Sequence, residues 1–183
     1  MFRDIRSHGR LWPRRPAGLR ENLLAIACRM ASVVGGPAAR TVIVALLAFI
    51  LALRRRVDQA RFLIVLTGGC GIANTALKHV VGRKRPNHIP LVSSGRSPSF
   101  PSGHASGSIA LAGGIAAIGW KALGDSVARA GALAGLALSV VLIGASRVQL
   151  GKHHIGDVVG GYALGALWLA FTLRFLRRDR QGK

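Results

Sequence analysis

Three polar segments interrupt a chain dominated by apolar runs, and they hold the residues whose types and spacing suit chemistry. The first is Lys78-His79-Val80-Val81-Gly82-Arg83-Lys84-Arg85-Pro86. Lys78 and Arg85 lie seven positions apart, two helical turns, so both cations point the same way if a helix continues until Pro86 stops it. Taken alone, the segment also reads as a basic helix end reaching for lipid head groups. The second segment is Ser99-Phe100-Pro101-Ser102-Gly103-His104. Ser102 suits the N-cap of a following helix, and Gly103 lets the backbone approach an anion while the helix start offers free N–H groups; together they can cradle a phosphate. Alone, this segment reads as a cap beside an interfacial histidine. The third is Ser146-Arg147-Val148-Gln149-Leu150-Gly151-Lys152-His153-His154-Ile155-Gly156-Asp157. His153 and Asp157 are four positions apart, one helical turn, so the carboxylate can accept a hydrogen bond from one imidazole nitrogen and leave the other free to attack. A histidine oriented by a carboxylate follows the logic of the catalytic triad, here with the imidazole itself as nucleophile.

A phosphate monoester carries about two negative charges near neutral pH. Its transfer needs positioning, stabilisation of charge on the equatorial oxygens and a protonated leaving group. The three segments hold groups for each. Read in order, Lys-x6-Arg-Pro, Pro-Ser-Gly-His and Ser-Arg-x5-His-x3-Asp resemble the tripartite signature of the type 2 phosphatidic acid phosphatase superfamily, the membrane-integral lipid phosphate phosphatases. The resemblance covers Lys78 to Asp157, residues 78–157; the first two apolar runs match only in being hydrophobic. It implies that Lys78, Arg85 and Arg147 bind the phosphate with help from Ser102 and the Gly103 amide. It implies further that His153 attacks phosphorus, that Asp157 orients His153 and stabilises its charge, and that His104 protonates the leaving oxygen. Water would then hydrolyse a phosphohistidine intermediate. His154 is a rival nucleophile, but only His153 has the family spacing from both Arg147 and Asp157. His79 and His88 fall outside the signature and read as helix-end or loop residues. Arg83, Lys84 and Lys152 read as cations that steer anionic head groups or as solvated surface charge.

The chemistry is expected to need no metal and no cofactor. Asp4, Glu21, Asp58, Asp125 and Asp179 fall on the far side of the membrane in the topology read below, leaving Asp157 as the one carboxylate near the site. A magnesium or two-metal centre wants several oxygen ligands. Zinc takes imidazole readily, and His79, His88, His104, His153 and His154 could be considered for it, but Lys78, Arg85 and Arg147 would repel the cation.

The elements that must carry these segments are membrane spans. Half of the 183 residues are hydrophobic and 17% are charged, a balance suited to a chain that hides most of its length in lipid. Six apolar runs approach the length needed to cross: Leu19–Gly36, Pro37–Leu53, Phe62–Val81, His104–Trp120, Ala128–Ser146 and Ile155–Leu176. Their Gly and Ala content suits close helix packing in lipid, and they lack the polar stripes of soluble helices. The fold expected is therefore all-α, a polytopic bundle of six transmembrane helices in a single domain over 1–183. The first run is short and carries Arg29 near its middle, so an interfacial helix is its alternative. No cleavage site follows the basic lead-in, and the first run reads as uncleaved. The net charge of +20 punctuates apolar runs instead of forming an aromatic-laced face, so no nucleic-acid partner is expected. Cys28 and Cys70 sit in apolar stretches and read as inert thiols.

Orientation follows from the positive-inside rule. Arg3, Arg6, Arg10, Arg14, Arg15 and Arg20, then Arg54, Arg55, Arg56 and Arg61, then Lys121 and Arg129, then Arg174, Arg177, Arg178, Arg180 and Lys183 all fall on one side, which should be cytoplasmic. Both termini, including the basic segment 1–18, then lie inside. The loop from Gly82 to Gly103 and the segment from Arg147 to His154 emerge outside, facing the periplasm if the membrane is a bacterial inner membrane. The partners expected are a phosphorylated lipid substrate and membrane lipids; oligomeric state is not encoded in any motif. Undecaprenyl pyrophosphate, phosphatidylglycerol phosphate, phosphatidate and the lipid A phosphates are all compatible substrates. A phosphotransferase passing the group from His153 to another acceptor would carry the same residues. A non-catalytic binder or transporter of anionic lipid would not need His104, His153 and Asp157.

Overall fold

The computed structural model describes residues 19–85, 97–120 and 126–181. The basic segment 1–18, His88, Lys121, Asp125 and Lys183 lie outside the described residues. Six helices follow one another: α1 (Leu19–Val34), α2 (Pro37–Leu53), α3 (Val57–Val81), α4 (Gly103–Gly119), α5 (Ser126–Gln149) and α6 (Ile155–Gln181). They coincide with the six apolar runs, and no strand occurs among the described residues.

Three of these helices, α3, α5 and the Ile155–Phe175 part of α6, are each long and apolar enough to cross a membrane. α1 and α2 reach that length only together, and they bend by 52° at their junction, the geometry of a broken span or a re-entrant loop. Gly35 and Gly36 form the break, and Pro37 opens α2 where its missing N–H costs nothing. A side chain at Gly35 would meet Ile143 Cγ2 at 2.4 Å, so the glycine lets the end of α1 sit directly on α5.

α4 lies in the middle of the bundle, against α2, α3, α5 and α6. Its contact with α6 is a backbone approach. A Cβ on Gly161 would stand 2.6 Å from the Ser102 carbonyl oxygen, and one on Gly165 would stand 2.6 Å from that of Ser106. This Gly-x3-Gly spacing puts both small residues on one face of α6, the arrangement by which membrane helices gain van der Waals contact without a hydrophobic driving force. Outward faces carry Leu46, Phe49, Ile72, Leu138, Leu167, Phe171 and Phe175, each more than half exposed. Lipid tails cover such a surface.

The two ends of the bundle differ sharply. At one end, Arg54–Arg56 turn α2 into α3, with Arg55 in the left-handed region at φ 58°, and Arg129 lies 5.0 Å over the Trp120 ring. At the other end the three polar segments meet, and there the interior is polar: Ser99, Ser102 and Asp157 are fully buried. Arg147 and His153 are each only 4% exposed.

Candidate active site

Lys78 stands in the last turn of α3. The helix stops at Val81 because Gly82 takes the left-handed C-cap conformation, φ 60°, and donates its N–H to the Lys78 carbonyl at 2.9 Å. The third run ends at Val81, as expected, so the condition for Lys78 and Arg85 to share a helical face is not met: Arg85 lies in the segment beyond the cap. The two cations converge for another reason. Lys78 Nζ donates to the Pro98 carbonyl at 2.6 Å and Arg85 Nε donates to the Ser97 carbonyl at 3.0 Å, so both are tied to the strand-like approach to α4.

That approach ends at Ser102, which occupies the N-cap position of α4 but makes no side-chain capping bond. Its Oγ is buried without a protein partner, as is Arg147 Nε. Such atoms keep hydrogen-bonding capacity for water or a ligand. The Ser102 N–H donates to the Asp157 carbonyl at 2.8 Å, which stitches the start of α4 to the start of α6. From α3, Asn74 donates to Ser106 Oγ at 3.0 Å, and a Cβ on Gly103 would meet Asn74 Oδ1 at 3.1 Å. From α2, Arg40 donates to the Gly103 carbonyl at 3.1 Å. From α1, the Ser32 hydroxyl accepts from Arg147, and the Ser32 backbone is hydrogen-bonded to His104.

His153 precedes α6 in a turn opened by Gly151 at φ 66°, and its N–H donates to the Arg147 carbonyl at 3.2 Å. The histidine and its carboxylate are therefore not one turn apart on a helix, as the spacing suggested; Asp157 lies in the first turn of α6 and His153 lies before it. Nδ1 of His153 is 3.6 Å from Asp157 Oδ2, beyond ordinary hydrogen-bond reach, and 3.4 Å from Ser99 Oγ. Ser99 donates to that same Oδ2 at 2.5 Å and so mediates between imidazole and carboxylate. Asp157 also accepts from the His154 N–H at 2.9 Å and, through Oδ1, from Arg83 at 3.0 Å. Burial, then Arg147, Arg85 and Lys78, push the His153 pKa down to about 4, against the pull of Asp157. The free imidazole is consequently neutral near pH 7 and keeps a lone pair for attack.

Lys78, Arg85, His104, Arg147 and His153 line one end of a cavity of about 350 Å³, with Gly103 beside them, whereas Ser99, Ser102 and Asp157 are fully buried and are not part of its lining. His154 is not part of that lining, and its side chain is 43% exposed. His79 is exposed at the end of α3. Among the described residues no group of three or more His, Cys, Asp and Glu is arranged to hold a metal ion. Ser32, Arg40, Asn74 and Ser99 have no expected role, and Arg83, expected to steer anionic head groups or to be solvated surface charge, instead donates to Asp157. Arg40 and Asn74 carried a usable signal, as a charged and an amide side chain inside apolar runs. Ser32 and Ser99 carried none, since serines are common at helix ends and in loops.

The family model described as the PAP2 superfamily matches residues 59–181, two thirds of the chain and all three polar segments. The chain belongs to the PAP2 superfamily. Among PAP2 relatives, phosphatidylglycerophosphatase B of Bacillus subtilis is 36% identical over 132 residues, 69% of this chain and 64% of that protein. Decaprenylphosphoryl-5-phosphoribose phosphatase of Mycobacterium tuberculosis is 35% identical over 133 residues, 68% of this chain and 64% of that protein. The chain thus spans a little under two thirds of the length of these curated relatives. The crystal structure of the PAP2-type phosphatidylglycerolphosphate phosphatase from Bacillus subtilis superposes with a TM-score of 0.61 and 27% identity, covering 87% of both chains. That of Aquifex aeolicus LpxE does so with a TM-score of 0.62 and 20% identity over 88% of both, a likeness of fold. The PAP2 relatives and the apolar helices together make this a membrane protein.

Proposed function

We propose that this PAP2 protein hydrolyses a phosphate or pyrophosphate monoester carried by a membrane lipid, through a phosphohistidine on His153. The observation that carries the reading is the pairing of a buried, neutral His153 with four neighbours lining the same cavity, Lys78, Arg85, Arg147 and His104. Nδ1 faces Ser99 and Asp157, which leaves Nε2 for attack. The lipid phosphate docks on the three cations, the Ser102 hydroxyl and the amides at the start of α4. The Nε2 lone pair forms the bond to phosphorus as the ester bond breaks, and His104 gives its proton to the departing oxygen. The cations balance charge on the equatorial oxygens, and Asp157, through Ser99, stabilises the positive charge on His153. Water then attacks phosphorus, His104 takes its proton, and the P–N bond breaks to release inorganic phosphate and neutral His153. A metal ion has no evident place in this scheme: the one nearby carboxylate is already held by Arg83, Ser99 and the His154 amide.

The site is proposed to face outward. In support, Arg54, Arg55, Arg56 and Arg61 cluster at the opposite end of the bundle, where the positive-inside rule calls for cytoplasm. Six crossings with both ends of the chain cytoplasmic is the arrangement that keeps the basic segment 1–18 inside.

The test is phosphate release from phosphatidate, phosphatidylglycerol phosphate and a prenyl diphosphate by the purified protein in detergent. His153→Ala is expected to abolish release while leaving the protein folded, vanadate to inhibit and EDTA to have no effect. Full turnover by His153→Ala would refute the mechanism, and labelled lipid identifies whether water or another acceptor takes the phosphate.

A further inference from the structure

The elbow between α1 and α2 precedes all three signature segments, yet it touches two of them. Its chemistry follows from the break in the helix. The Gly35 N–H returns to the Ala31 carbonyl at 2.9 Å and the Gly36 N–H to the Val33 carbonyl at 3.0 Å, while Pro37 has no N–H to give. The Ser32 carbonyl is thereby left among the orphan acceptors of a helix end. The imidazole of His104 donates to it. A Cβ on Gly36 would stand 3.4 Å from that carbonyl oxygen and 3.8 Å from His104 Nε2, so the bare glycine keeps room for the ring at the elbow.

The Ser32 hydroxyl faces another way. Thr41, Thr67, Thr75 and Ser146 turn their hydroxyls back onto carbonyls three or four residues earlier in their own helices. That of Ser32 instead accepts from Arg147, in the last turn of α5. Packing builds this contact. Ser32 and Gly35 are three positions apart and share a helix face, as do Ile143 and Arg147, four apart. The missing side chain at Gly35, where a Cβ would meet Ile143 Cγ2 at 2.4 Å, brings Ser32 within reach of Arg147. Arg147 is buried, and with one terminal nitrogen held by Ser32 its Nε keeps no protein partner.

We propose that Ser32 is a positioning residue for both the proton and the phosphate: its carbonyl selects the His104 nitrogen that faces the departing oxygen, and its hydroxyl sets the plane of the Arg147 fork. This rests on the phosphatase reading above. A neutral imidazole carries one N–H, and a carbonyl at one nitrogen settles which of the two holds it. The ring's second proton, on the nitrogen turned to the cavity, is the one given to the leaving oxygen, and the ring reverts to the neutral form that Ser32 holds. A guanidinium meets two phosphate oxygens in one plane, so a hydroxyl at one corner orients the rest.

The experiment compares two esters with the purified protein in detergent. One is whichever of phosphatidate and phosphatidylglycerol phosphate the wild type cleaves faster, since the alkoxide of either must be protonated to leave. The other is p-nitrophenyl phosphate, whose phenolate leaves without a proton. The readout is kcat/KM, which ends at formation of the phosphohistidine. Gly36 has an ordinary extended backbone, φ −68° and ψ 157°, so Gly36→Ala disturbs only the space, with its Cβ 2.9 Å from the Val33 carbonyl oxygen. It is expected to lower kcat/KM about tenfold for the lipid and less than about twofold for the nitrophenyl ester. Ser32→Ala is expected to lower it about tenfold for both, with the affinity for inorganic phosphate falling alike, and Ser32→Thr to restore both. NMR of labelled histidine, with His104 assigned through His104→Asn, should show a changed tautomer in Gly36→Ala. Equal losses on the two esters in Gly36→Ala would mean that the elbow only braces the bundle and would overturn the proposal, as would an unchanged phosphate affinity in Ser32→Ala. A wild-type protein that hydrolyses neither ester would refute the phosphatase reading; the tautomer and the phosphate affinity, both read without turnover, would then decide whether Ser32 sets the two groups.

Discussion

Ser99 donates to Asp157 Oδ2 at 2.5 Å and stands 3.4 Å from His153 Nδ1, so a hydroxyl stands between the carboxylate and the proposed nucleophile. Ser99→Ala would leave both the buried carboxylate and the imidazole short of a partner, a loss of about 1–3 kcal/mol. We expect kcat to fall roughly 10–100-fold with KM little changed, and Ser99→Thr to restore part of it; an unaltered kcat would show the hydroxyl to be a bystander. The His153 pKa gives a second expectation. Because burial, Arg147, Arg85 and Lys78 hold it at about 4, the imidazole is neutral above that pH and is lost as a nucleophile only when the pH falls through it. The acid limb in kcat/KM of the proposed reaction should therefore lie near pH 4, separate from the ionisation of the substrate phosphate near 6. Removing a cation at Arg85 should raise the limb, and Asp157→Asn should lower it further, both readable by titrating labelled histidine in NMR. The signature residues were legible because their spacing is local within each segment. Ser99 to Asp157 and Arg83 to Asp157 are bonds across 58 and 74 positions, and nothing local in the chain announces them.

The helices were legible almost to their ends, because an apolar run long enough to cross lipid has few other ways to satisfy its backbone. What composition did not encode is how the runs lean on one another. The Gly161 and Gly165 contacts bring α6 onto the backbone of α4 at the same turn where the Ser102 N–H meets the Asp157 carbonyl. Gly161→Ala would force a methyl to within 2.6 Å of a carbonyl oxygen that has no rotamer to yield. We expect it to cost about 1–3 kcal/mol in stability, measured as a lower unfolding midpoint in detergent, with activity falling along with it. Gly131, whose added Cβ would meet nothing within 4 Å, is the control, and Gly131→Ala should leave both unchanged. The end of α3 falls at Val81, where the apolar run stops, because Gly82 takes a left-handed backbone; the seven-residue spacing of Lys78 and Arg85 is therefore not a helical one. The 52° bend between α1 and α2 was equally hidden, since Gly35-Gly36-Pro37 permits either a full reversal or a kink.

At the scale of the whole molecule, one end is basic and plain while the other is basic and chemically armed. In a background with Cys28 and Cys70 replaced by serine, a cysteine at Lys84 should react with a membrane-impermeant maleimide in intact cells, and one at Arg55 should not. A cysteine at Arg10 decides the crossing count: protection supports six, and labelling would make α1 and α2 one broken crossing. Among the described residues the cavity is lined by Arg40, Lys78, Arg85 and Arg147 and by no carboxylate. That field favours any phosphate anion, and under the proposed reaction it would not distinguish substrate from what is left after cleavage. The dephosphorylated lipid loses its hold, whereas inorganic phosphate keeps nearly all of it. If the chain acts as proposed, departure of phosphate, more than bond breaking, is expected to set the pace at low ionic strength. Free phosphate should compete with the lipid, more strongly as rising pH makes it a dianion, and added salt should quicken turnover until it begins to weaken capture.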